Sequence, residues 1–192
     1  EDSVIIGTRK GMAIHFKTNS QQLRPLGRST KGVKSMKLKG DDELISMDII
    51  PSQIVATIDT SVDDEDDDDS GEELIDEAVD QGPWLLAITK NGYGKRVPIG
   101  KFRLQNRAGM GVRAIKFKSK DDRLVAIDIV NLEDELMIVT NRGIMIRQAV
   151  KAISLQSRNA TGVRVQRLDK DDAIAAVAPV PPLEEEGEET EE

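Results

Sequence analysis

The sequence has no cysteine, which excludes disulfide bonds, thiolate zinc sites and a cysteine nucleophile. It has one histidine, His15, which the local alternation places on the polar face of a strand, so we expect it at the surface. One such histidine cannot build a Ser–His–Asp triad or a histidine-rich metal site. Tyr93 follows a turn glycine and is expected to be a strand residue, not a nucleophile. We therefore expect no catalytic residues, no metal site and no cofactor in this chain.

Aromatic residues make up only 3% of the sequence, so the core must be built mainly from Ile, Leu, Val, Met and Ala. No apolar run approaches the roughly 20 residues that a membrane-spanning helix needs, and no membrane association is expected. The first residues show no basic segment followed by an apolar one, as a signal peptide would, and an intracellular location fits the lack of cysteine. Because the sequence does not start with Met, we expect a fragment or a processed product.

Two stretches contain no basic residue, so the net charge of −8 does not describe the charge of the remaining chain. Residues 54–83 contain 13 acidic residues and no Lys or Arg, and residues 183–192 contain seven acidic residues and again nothing basic. The remaining chain holds all 27 basic residues against 15 acidic ones, which gives it a charge of about +12. Such separation of charge points to an electrostatic function. The plainer alternative is a basic domain with solubilising acidic segments.

One frame, Arg-x-x-x-Gly-Val, occurs three times, at residues 28–33, 107–112 and 158–163. Each copy follows a glycine-centred turn by about fifteen residues, and the turn glycines Gly92 and Gly143 are 51 residues apart. The first turn glycine, Gly11, precedes Gly92 by 81 residues, which equals one repeat plus an acidic insert of about 30. The sequence therefore predicts a repeat protein with a unit of about 50 residues.

Alternation of apolar and polar residues with period two predicts four short strands in each repeat. The predicted strands are 4–8, 12–17, 34–39 and 43–50 in the first repeat, 84–89, 93–99, 113–118 and 123–130 in the second, and 135–140, 144–150, 164–168 and 173–180 in the third. Between the third and fourth strands each repeat has two adjacent aspartates, at 41–42, 121–122 and 171–172. These pairs resemble metal ligands, but their recurrence at a strand–strand turn favours turn formers.

Four strands in about 50 residues is the size of a propeller blade, so we predict an all-β, propeller-like fold. We assign residues 1–53 to blade 1, 82–133 to blade 2 and 134–182 to blade 3. Residues 54–81 form an acidic insert and 183–192 an acidic tail, and both are expected to be disordered because like charges repel and bury little surface. Residues 54–58 are expected to extend the preceding strand. Three blades cannot close a ring, so we expect further blades or a second copy to complete it.

The frame has a structural and a functional interpretation. Its glycine allows a tight corner and its valine begins the core, while its arginine recurs once per blade and is expected on one rim. Together with other basic residues of the turns and strands, these arginines predict a band that contacts DNA phosphates and bends the duplex without reading its sequence. The plainer alternative is a set of solvated strand faces. The candidate DNA-binding residues are Arg9, Lys10, Arg28, Lys31, Lys34, Lys90, Lys95, Arg96, Arg107, Arg113, Arg142, Arg147, Arg158 and Arg164.

Residues 89–117, TKNGYGKRVPIGKFRLQNRAGMGVRAIKF, resemble the C-terminal domain repeat of the DNA gyrase A protein, part of a type IIA topoisomerase. Residues 8–47 and 140–168 resemble further copies. The resemblance implies a β-pinwheel, a six-bladed relative of propellers whose blades exchange strands, with these three as its last half. It implies that the domain wraps duplex DNA around its basic rim so that the ATP-driven enzyme introduces negative supercoils.

The resemblance also implies partners and a location. These are double-stranded DNA of any sequence, the rest of the gyrase A protein and the gyrase B protein, in the bacterial cytoplasm and nucleoid or in an organelle. ATP and magnesium are then used by other parts of the enzyme, and this fragment has no turnover of its own. We expect the acidic insert and tail to compete with DNA for the basic rim.

One departure from the family pattern leaves alternatives open. The family's signature box, Gln-Arg-Arg-Gly-Gly-Lys/Arg-Gly, is absent, and QNRAGMG at 105–111 is its nearest relative here. The similar but degenerate C-terminal domain of topoisomerase IV is therefore a second candidate. A third candidate is a propeller-like platform that binds an acidic protein. An enzyme in its own right is the weakest hypothesis, because no set of acid, base and nucleophile can be assembled.

Overall fold

The computed structural model describes residues 1–56 and 82–180, which form three antiparallel sheets. One helical turn, α1 (Ser52–Val55), follows the first sheet, and no helix in the described ranges is long and apolar enough to cross a membrane. The strands of this part of the chain are β1 (Ser3–Thr8), β2 (Met12–Lys17), β3 (Leu44–Ile50), β4 (Trp84–Thr89), β5 (Tyr93–Pro98), β6 (Val112–Arg113), β7 (Leu124–Val130), β8 (Glu135–Thr140), β9 (Met145–Ala149), β10 (Val163–Arg164) and β11 (Ile174–Val180).

Each sheet is built on a hairpin, β1–β2, β4–β5 or β8–β9, whose turn carries a glycine. Gly11, Gly92 and Gly143 have φ of 83°, 84° and 81°, in the left-handed region that favours glycine. The strand before each turn ends in threonine, and the Thr8 hydroxyl oxygen accepts a hydrogen bond from the Met12 N–H at 3.1 Å. The same bond forms in the other two hairpins. The hairpins predicted from the sequence are therefore confirmed.

The sheets exchange strands between repeats. Their strand orders are β3-β1-β2-β6, β10-β5-β4-β7 and β11-β8-β9. Strand β6 belongs to the second repeat but pairs with β2 of the first, and β10 of the third repeat pairs with β5 of the second. The first and second sheets thus obtain their fourth strand from the following repeat. The all-β, propeller-like fold is confirmed, together with the strand exchange that the family resemblance implies.

The third strand of each repeat is shorter than predicted. Of the predicted strands 113–118 and 164–168, only Arg113 and Arg164 lie in strands, as the second residues of the two-residue β6 and β10, and 34–39 forms no strand. After two residues the exchanged segment passes over the neighbouring turn glycine, where the Ala114 N–H donates to the Gly11 carbonyl at 2.8 Å. The exchanged segment therefore pairs with the neighbouring backbone over a few residues only, which is too short for the predicted strand. Residues 34–39 have no preceding repeat to pair with among the described residues.

The stretch after β3 also differs from the prediction. We expected residues 54–58 to extend that strand, but Ser52–Val55 is a helical turn in which the Ile54 and Val55 N–H groups both donate to the Pro51 carbonyl. Proline fixes its own φ and lacks an N–H, so the sheet ladder stops there. Residues 57–81 and 181–192 lie outside the described residues, and they include nearly all of the predicted disordered insert and the whole predicted disordered tail.

The core lies between consecutive sheets. Leu85 and Ala87 of β4 pack towards the first sheet with Ile5 and Ala13, while Leu86 and Ile88 pack towards the third sheet. All six residues of β4 are buried and five of them are apolar, so this strand does not alternate. The core is mainly aliphatic, as the composition predicts. The second strands of the hairpins, β2 and β5, are consequently enclosed by a following repeat.

Candidate functional site

The frame glycines lie where two repeats touch. Gly111 and Gly162 have φ of 74° and 81°. A Cβ at Gly162 would lie 2.7 Å from the Gly94 carbonyl oxygen of the preceding repeat, and a Cβ at Gly111 would collide with the Ala13 carbonyl oxygen. Both the backbone conformation and the close approach require glycine here. These contacts support the structural interpretation of the frame.

The frame arginines bind the backbone of the preceding repeat. Arg107 donates from Nε to the Gln22 carbonyl at 2.8 Å and from Nη1 to the Lys34 carbonyl at 2.6 Å. Arg158 donates from Nη1 to the Arg113 carbonyl at 3.3 Å. Lys34 and Arg113 occupy the same repeat position, six residues after their own frame arginine. The same cross-repeat contact therefore forms at both junctions, and the frame arginine holds consecutive blades together.

A second contact crosses each junction from the residue four positions after the turn glycine. His15 Nδ1 bonds the Phe102 carbonyl at 2.8 Å, and Arg96 Nε donates to the Ile153 carbonyl at 2.6 Å. The carbonyls are equivalent, since Phe102 and Ile153 are 51 residues apart. In the third repeat this position is Arg147, which is exposed and forms an ion pair with Glu135.

The expectation that His15 lies at the surface is wrong, because it is 1% exposed. A carbonyl only accepts hydrogen bonds, so His15 Nδ1 carries the proton that it donates to Phe102. Its Nε2 then accepts from the Ser3 hydroxyl at 2.6 Å. Burial lowers the pKa of His15, and the bond to the Phe102 carbonyl offsets this only in part. The ring is therefore a neutral, fully bonded part of the junction.

Lys95 is buried and faces the frame loop of the third repeat. Its Nζ donates to the carbonyls of Ser157 at 2.6 Å, Arg158 at 2.6 Å and Ala160 at 2.9 Å. Burial, and secondarily the charge of Arg158, lowers the pKa of Lys95 to about 6. A neutral amine keeps two protons, enough for the two fully buried carbonyls of Arg158 and Ala160.

Three of the predicted DNA-binding residues are therefore not on an exposed rim. Lys95 and Arg96 are 0% exposed and Arg158 is 9% exposed. Placing their side chains at the surface was wrong, because a following repeat covers β5 and its side chains bond that repeat's backbone. Arg96 in addition lies over the Trp84 ring, 4.8 Å from its centroid.

The remaining predicted residues are accessible. Lys10 and Arg107 are half-buried. The nine exposed residues are Arg9, Arg28, Lys31, Lys34, Lys90, Arg113, Arg142, Arg147 and Arg164. Two basic residues of the first turn are already paired, Arg9 with Glu43 at 3.0 Å and Lys10 with Asp41. Exposed ion pairs of this kind are weak and can exchange for a phosphate.

The recurring aspartate pairs form turns. Oδ1 of Asp42 accepts from the Lys10 N–H at 2.9 Å, and Asp122 and Asp172 make the same bond to the turns of the second and third hairpins. Each aspartate thus ties the turn before β3, β7 or β11 to the hairpin turn, and the turn-forming interpretation is confirmed. Within residues 1–56 and 82–180, no group of three or more His, Asp or Glu side chains is placed to hold a metal ion.

A recurring set of basic residues was recognised only in part by the sequence prediction, which named Lys34, Arg113 and Arg164 and missed the other seven. It lies in the segments that follow each frame, 34–39, 113–120 and 164–170, which contain one acidic residue, Asp169. We call its exposed cations the basic ribbon: Lys34, Lys37, Lys39, Arg113, Lys116, Lys118, Lys120, Arg164, Arg167 and Lys170. The signal was present, since these cations alternate with residues that turn inward, such as Met36 and Ile115, which are 5% and 2% exposed.

Tyr93 joins the ribbon to the second sheet. It is the first residue of β5 and is half-buried, as expected for a strand residue. Its ring centroid is 5.1 Å from Lys118 Nζ and 5.0 Å from Arg164 Cζ, and its hydroxyl oxygen accepts from Arg164 Nη2 at 2.8 Å. Cations against an aromatic face are attracted by its quadrupole. The ring therefore contacts two ribbon cations that belong to different repeats.

The chain matches the family model described as "DNA gyrase C-terminal domain, beta-propeller" in three segments, residues 2–51, 83–131 and 134–181. It is 66% identical over 189 residues to the DNA gyrase A protein of Synechocystis, which covers 97% of this chain and 22% of that protein. It is 35% identical over 180 residues to the DNA gyrase A protein of Staphylococcus aureus, which covers 94% of this chain and 17% of that protein. The chain thus spans about a fifth of the length of these relatives.

Solved structures show the same fold. A C-terminal domain of DNA topoisomerase IV superposes with a TM-score of 0.67 at 19% identity, over 93% of this chain and 47% of that one. A DNA gyrase A C-terminal domain superposes with a TM-score of 0.51 at 21% identity, over 93% of this chain and 66% of that one. With the exchanged strands, the repeated frame and the family match over all three repeats, the chain belongs to the DNA gyrase C-terminal domain family.

Proposed function

We propose that the chain is a non-catalytic module that binds duplex DNA of any sequence and bends it around the basic ribbon, for negative supercoiling by gyrase. The basic ribbon carries this proposal. Its ten exposed cations lie in equivalent segments of three consecutive repeats, and these segments contain only one acidic residue. The proposed partners are duplex DNA, the rest of the gyrase A protein and the gyrase B protein. ATP and magnesium are proposed to act elsewhere in that enzyme.

The charge distribution favours phosphate contact over base reading. All 27 basic residues lie in the described ranges, against 15 acidic ones. Lysine and arginine on a ribbon contact phosphates, which give affinity without sequence information. Bending a duplex over a few helical turns costs on the order of several kcal/mol, so the contacts must be spread over several blades. The high identity to a DNA gyrase A protein favours gyrase over topoisomerase IV as the parent enzyme.

The salt dependence of binding tests the ribbon. We would measure the dissociation constant for a fluorescent duplex against salt concentration, for the chain and for the triple variant K116A/K118A/K120A. Because each lost phosphate contact reduces the slope of log K against log salt by about 0.9, the triple variant should lose about 2 to 3 from that slope. The matched control is K17A/R24A/K151A, three exposed cations outside the ribbon, which should change the slope little. An equal loss in both variants would show that binding does not depend on the ribbon.

Assays of DNA topology distinguish DNA bending from the recruitment of an acidic protein. The parent enzyme with and without these blades would be assayed for supercoiling and for relaxation. Loss of supercoiling with retained relaxation is the expected result, since only the wrapped geometry imposes a direction on strand passage. Unchanged topology would contradict wrapping and favour the alternative, in which the ribbon binds an acidic protein.

The acidic stretches are proposed to regulate binding, although they lie almost wholly outside the described residues. Deleting 60–80 or 183–192 should strengthen DNA binding at low salt, because their 12 and seven acidic residues compete with phosphate for the same cations. Unchanged affinity after both deletions would remove this competition from the proposal and leave the ribbon itself unaffected.

A further inference from the structure

We propose that Tyr93 is a positioning residue for DNA binding, which orders Arg164 and Lys118 on the basic ribbon without neutralising their charge. Both cations are then preordered for a short run of backbone phosphates of one duplex. The site lies at the second junction, where the ribbon passes from the second repeat to the third. This role rests on the proposed binding of duplex DNA by the ribbon.

The backbone at Tyr93 is anchored on both sides. The Tyr93 N–H donates to the Thr89 hydroxyl oxygen at 3.2 Å. The carbonyl of the preceding Gly92 accepts from the Val165 N–H of the third repeat at 2.9 Å. Tyr93 lies directly opposite Arg164 in the β5–β10 ladder, and residues opposed in this way project from the same face of a sheet. The ring therefore stands where the ribbon segment of the third repeat crosses the second sheet.

The ring brings two cations to one place. Arg164 donates from Nη2 to the Tyr93 hydroxyl oxygen at 2.8 Å, and its Cζ lies 5.0 Å from the ring centroid. A guanidinium has five N–H donors, so most of them stay available for phosphate oxygens. Lys118 Nζ is 5.1 Å from the same centroid, so the two charges are at most about 10 Å apart. Phosphates recur about every 3.4 Å of axis along a DNA strand, so both cations are within reach of the same few phosphates.

An aromatic ring orders a cation differently from a carboxylate. Arg9, Lys10 and Arg147 are paired with acidic side chains, which hold the cation but also neutralise it and compete with phosphate. Within the part of the chain that the structure describes, Arg164 and Lys118 form no such ion pair. A ring attracts a cation through its quadrupole and carries no net charge, so the cation keeps its full charge. Binding to phosphate then requires less ordering of these two side chains.

The first repeat supplies a comparison inside the chain. Met12 occupies the position of Tyr93 and lies opposite Arg113 in the β2–β6 ladder. It has neither a ring nor a hydroxyl, so Arg113 takes the same backbone position without these contacts. In the third repeat the position is Ile144. The exchanged strand pairs in both junctions, so the tyrosine is not required for the exchange itself.

A double-mutant cycle tests whether Tyr93 acts through the two cations. We would measure the dissociation constant for a fluorescent duplex, at fixed low salt, for the unmodified chain, Tyr93→Met, K118A/R164A and the combination of all three changes. Tyr93→Met copies the first repeat and should weaken binding about fivefold, because both cations must then be ordered on binding. K118A/R164A should lose about 2 from the slope of log K against log salt. In that background Tyr93→Met should have no further effect, since the side chains that it orders are gone.

Two further variants keep the test specific. Tyr93→Phe should bind with an affinity between those of the unmodified chain and Tyr93→Met, because it keeps the ring and loses the hydrogen bond from Arg164. Met12→Leu is the control at the equivalent position of the first junction and should bind within about twofold of the unmodified chain. Melting temperatures within a few degrees of the unmodified chain would show that the variants fold. Where Tyr93→Met melts earlier, Tyr93→Phe takes its place in the cycle.

The outcomes distinguish this role from the proposed function. An equal loss of affinity from Tyr93→Met with and without the two cations would show that the ring acts on its own, and would overturn the positioning role. Ribbon-dependent binding that neither Tyr93 variant weakens would also overturn it, while DNA binding by the ribbon would stand. An unmodified chain that does not bind duplex DNA at low salt would overturn both.

Discussion

Replacing Lys95 by methionine keeps the length of the buried side chain and removes its hydrogen-bond donors. The carbonyls of Arg158 and Ala160 are then left buried without that partner. Each unsatisfied buried carbonyl costs about 1–3 kcal/mol, so the free energy of unfolding of the variant near pH 10 should be about 2–6 kcal/mol lower than that of the unmodified chain. Near pH 10 Lys95 is largely neutral in the folded chain and about one-quarter neutral in the unfolded one, and the hydrogen bonds dominate the difference.

Lowering the pH should reverse this difference. The pKa of Lys95 is lowered to about 6 in the folded chain, from 10.5 when exposed. Between these values the unfolded chain binds the extra proton, so Lys95 makes the folded state more stable as pH rises and less stable as it falls. The advantage of the unmodified chain should shrink by up to about 1.4 kcal/mol per pH unit on acidification. A loss of about 3 kcal/mol near pH 10, within that range, is then cancelled at roughly pH 8, and below that the variant should be the more stable protein. A larger loss moves the crossing to a lower pH.

Urea unfolding followed by Trp84 fluorescence, at several pH values between 6 and 10, measures the difference directly. Other ionisable groups titrate alike in both proteins and cancel in the comparison. Lys90→Met is the control, because Lys90 is exposed at the turn of the same hairpin and its change should stay within about 0.5 kcal/mol. A difference that does not vary with pH would refute the reasoning, since Lys95 would then hold the same proton in folded and unfolded chains.

Three further substitutions test other parts of the junctions. Gly162→Val should lower the free energy of unfolding by about 2–4 kcal/mol in urea, since its Cβ would lie 2.7 Å from the Gly94 carbonyl in a left-handed backbone; an unchanged midpoint would contradict this contact. His15→Gln should lose less stability than the unmodified chain when urea unfolding is compared at pH 7 and pH 5.5, because burial lowers the pKa of His15 in the folded chain and the unfolded chain takes up the proton. Asp128→Asn should raise the urea midpoint at pH 8 and not at pH 3.5, because burial and the charge of Asp48 raise the pKa of Asp128 to about 6. The carboxyl loses its proton in the folded chain as pH rises through that value, and the buried charge then destabilises the folded state.

The local parts of the fold could be predicted from the sequence. Turn glycines followed by alternating strands indicated the three hairpins, because the conformation of a turn is decided by a few adjacent residues. The aspartate pairs were assigned correctly for the same reason, since Asp42 bonds a turn that is fixed by the hairpin. The 51-residue spacing then predicted the number of units.

The burial of the second strands could not be predicted from alternation. That pattern assumes one solvent-facing side, but in β5 both Lys95 and Arg96 are buried, although their side chains point to opposite faces. Their acceptors lie 57 to 65 residues further along the chain, and the acceptor of His15 lies 87 residues away. Local sequence carries no sign of such distant carbonyls. The basic ribbon is the reverse case, since alternation alone would have identified Lys116 and Lys118 as exposed.

The exchange of one strand between neighbours also bears on how the number of blades can change over evolution. The first and second sheets are each completed by the repeat that follows, so the boundary of a sheet is displaced by one strand from the boundary of the repeated sequence. Duplication or loss of one 51-residue unit would therefore leave every internal sheet with a donor of the same Arg-x-x-x-Gly-Val kind. An insertion between β3 and β4 lengthens only the connection, at an entropic cost that grows slowly with its length. This architecture lets the basic perimeter lengthen or shorten in whole blades while every junction keeps the same contacts.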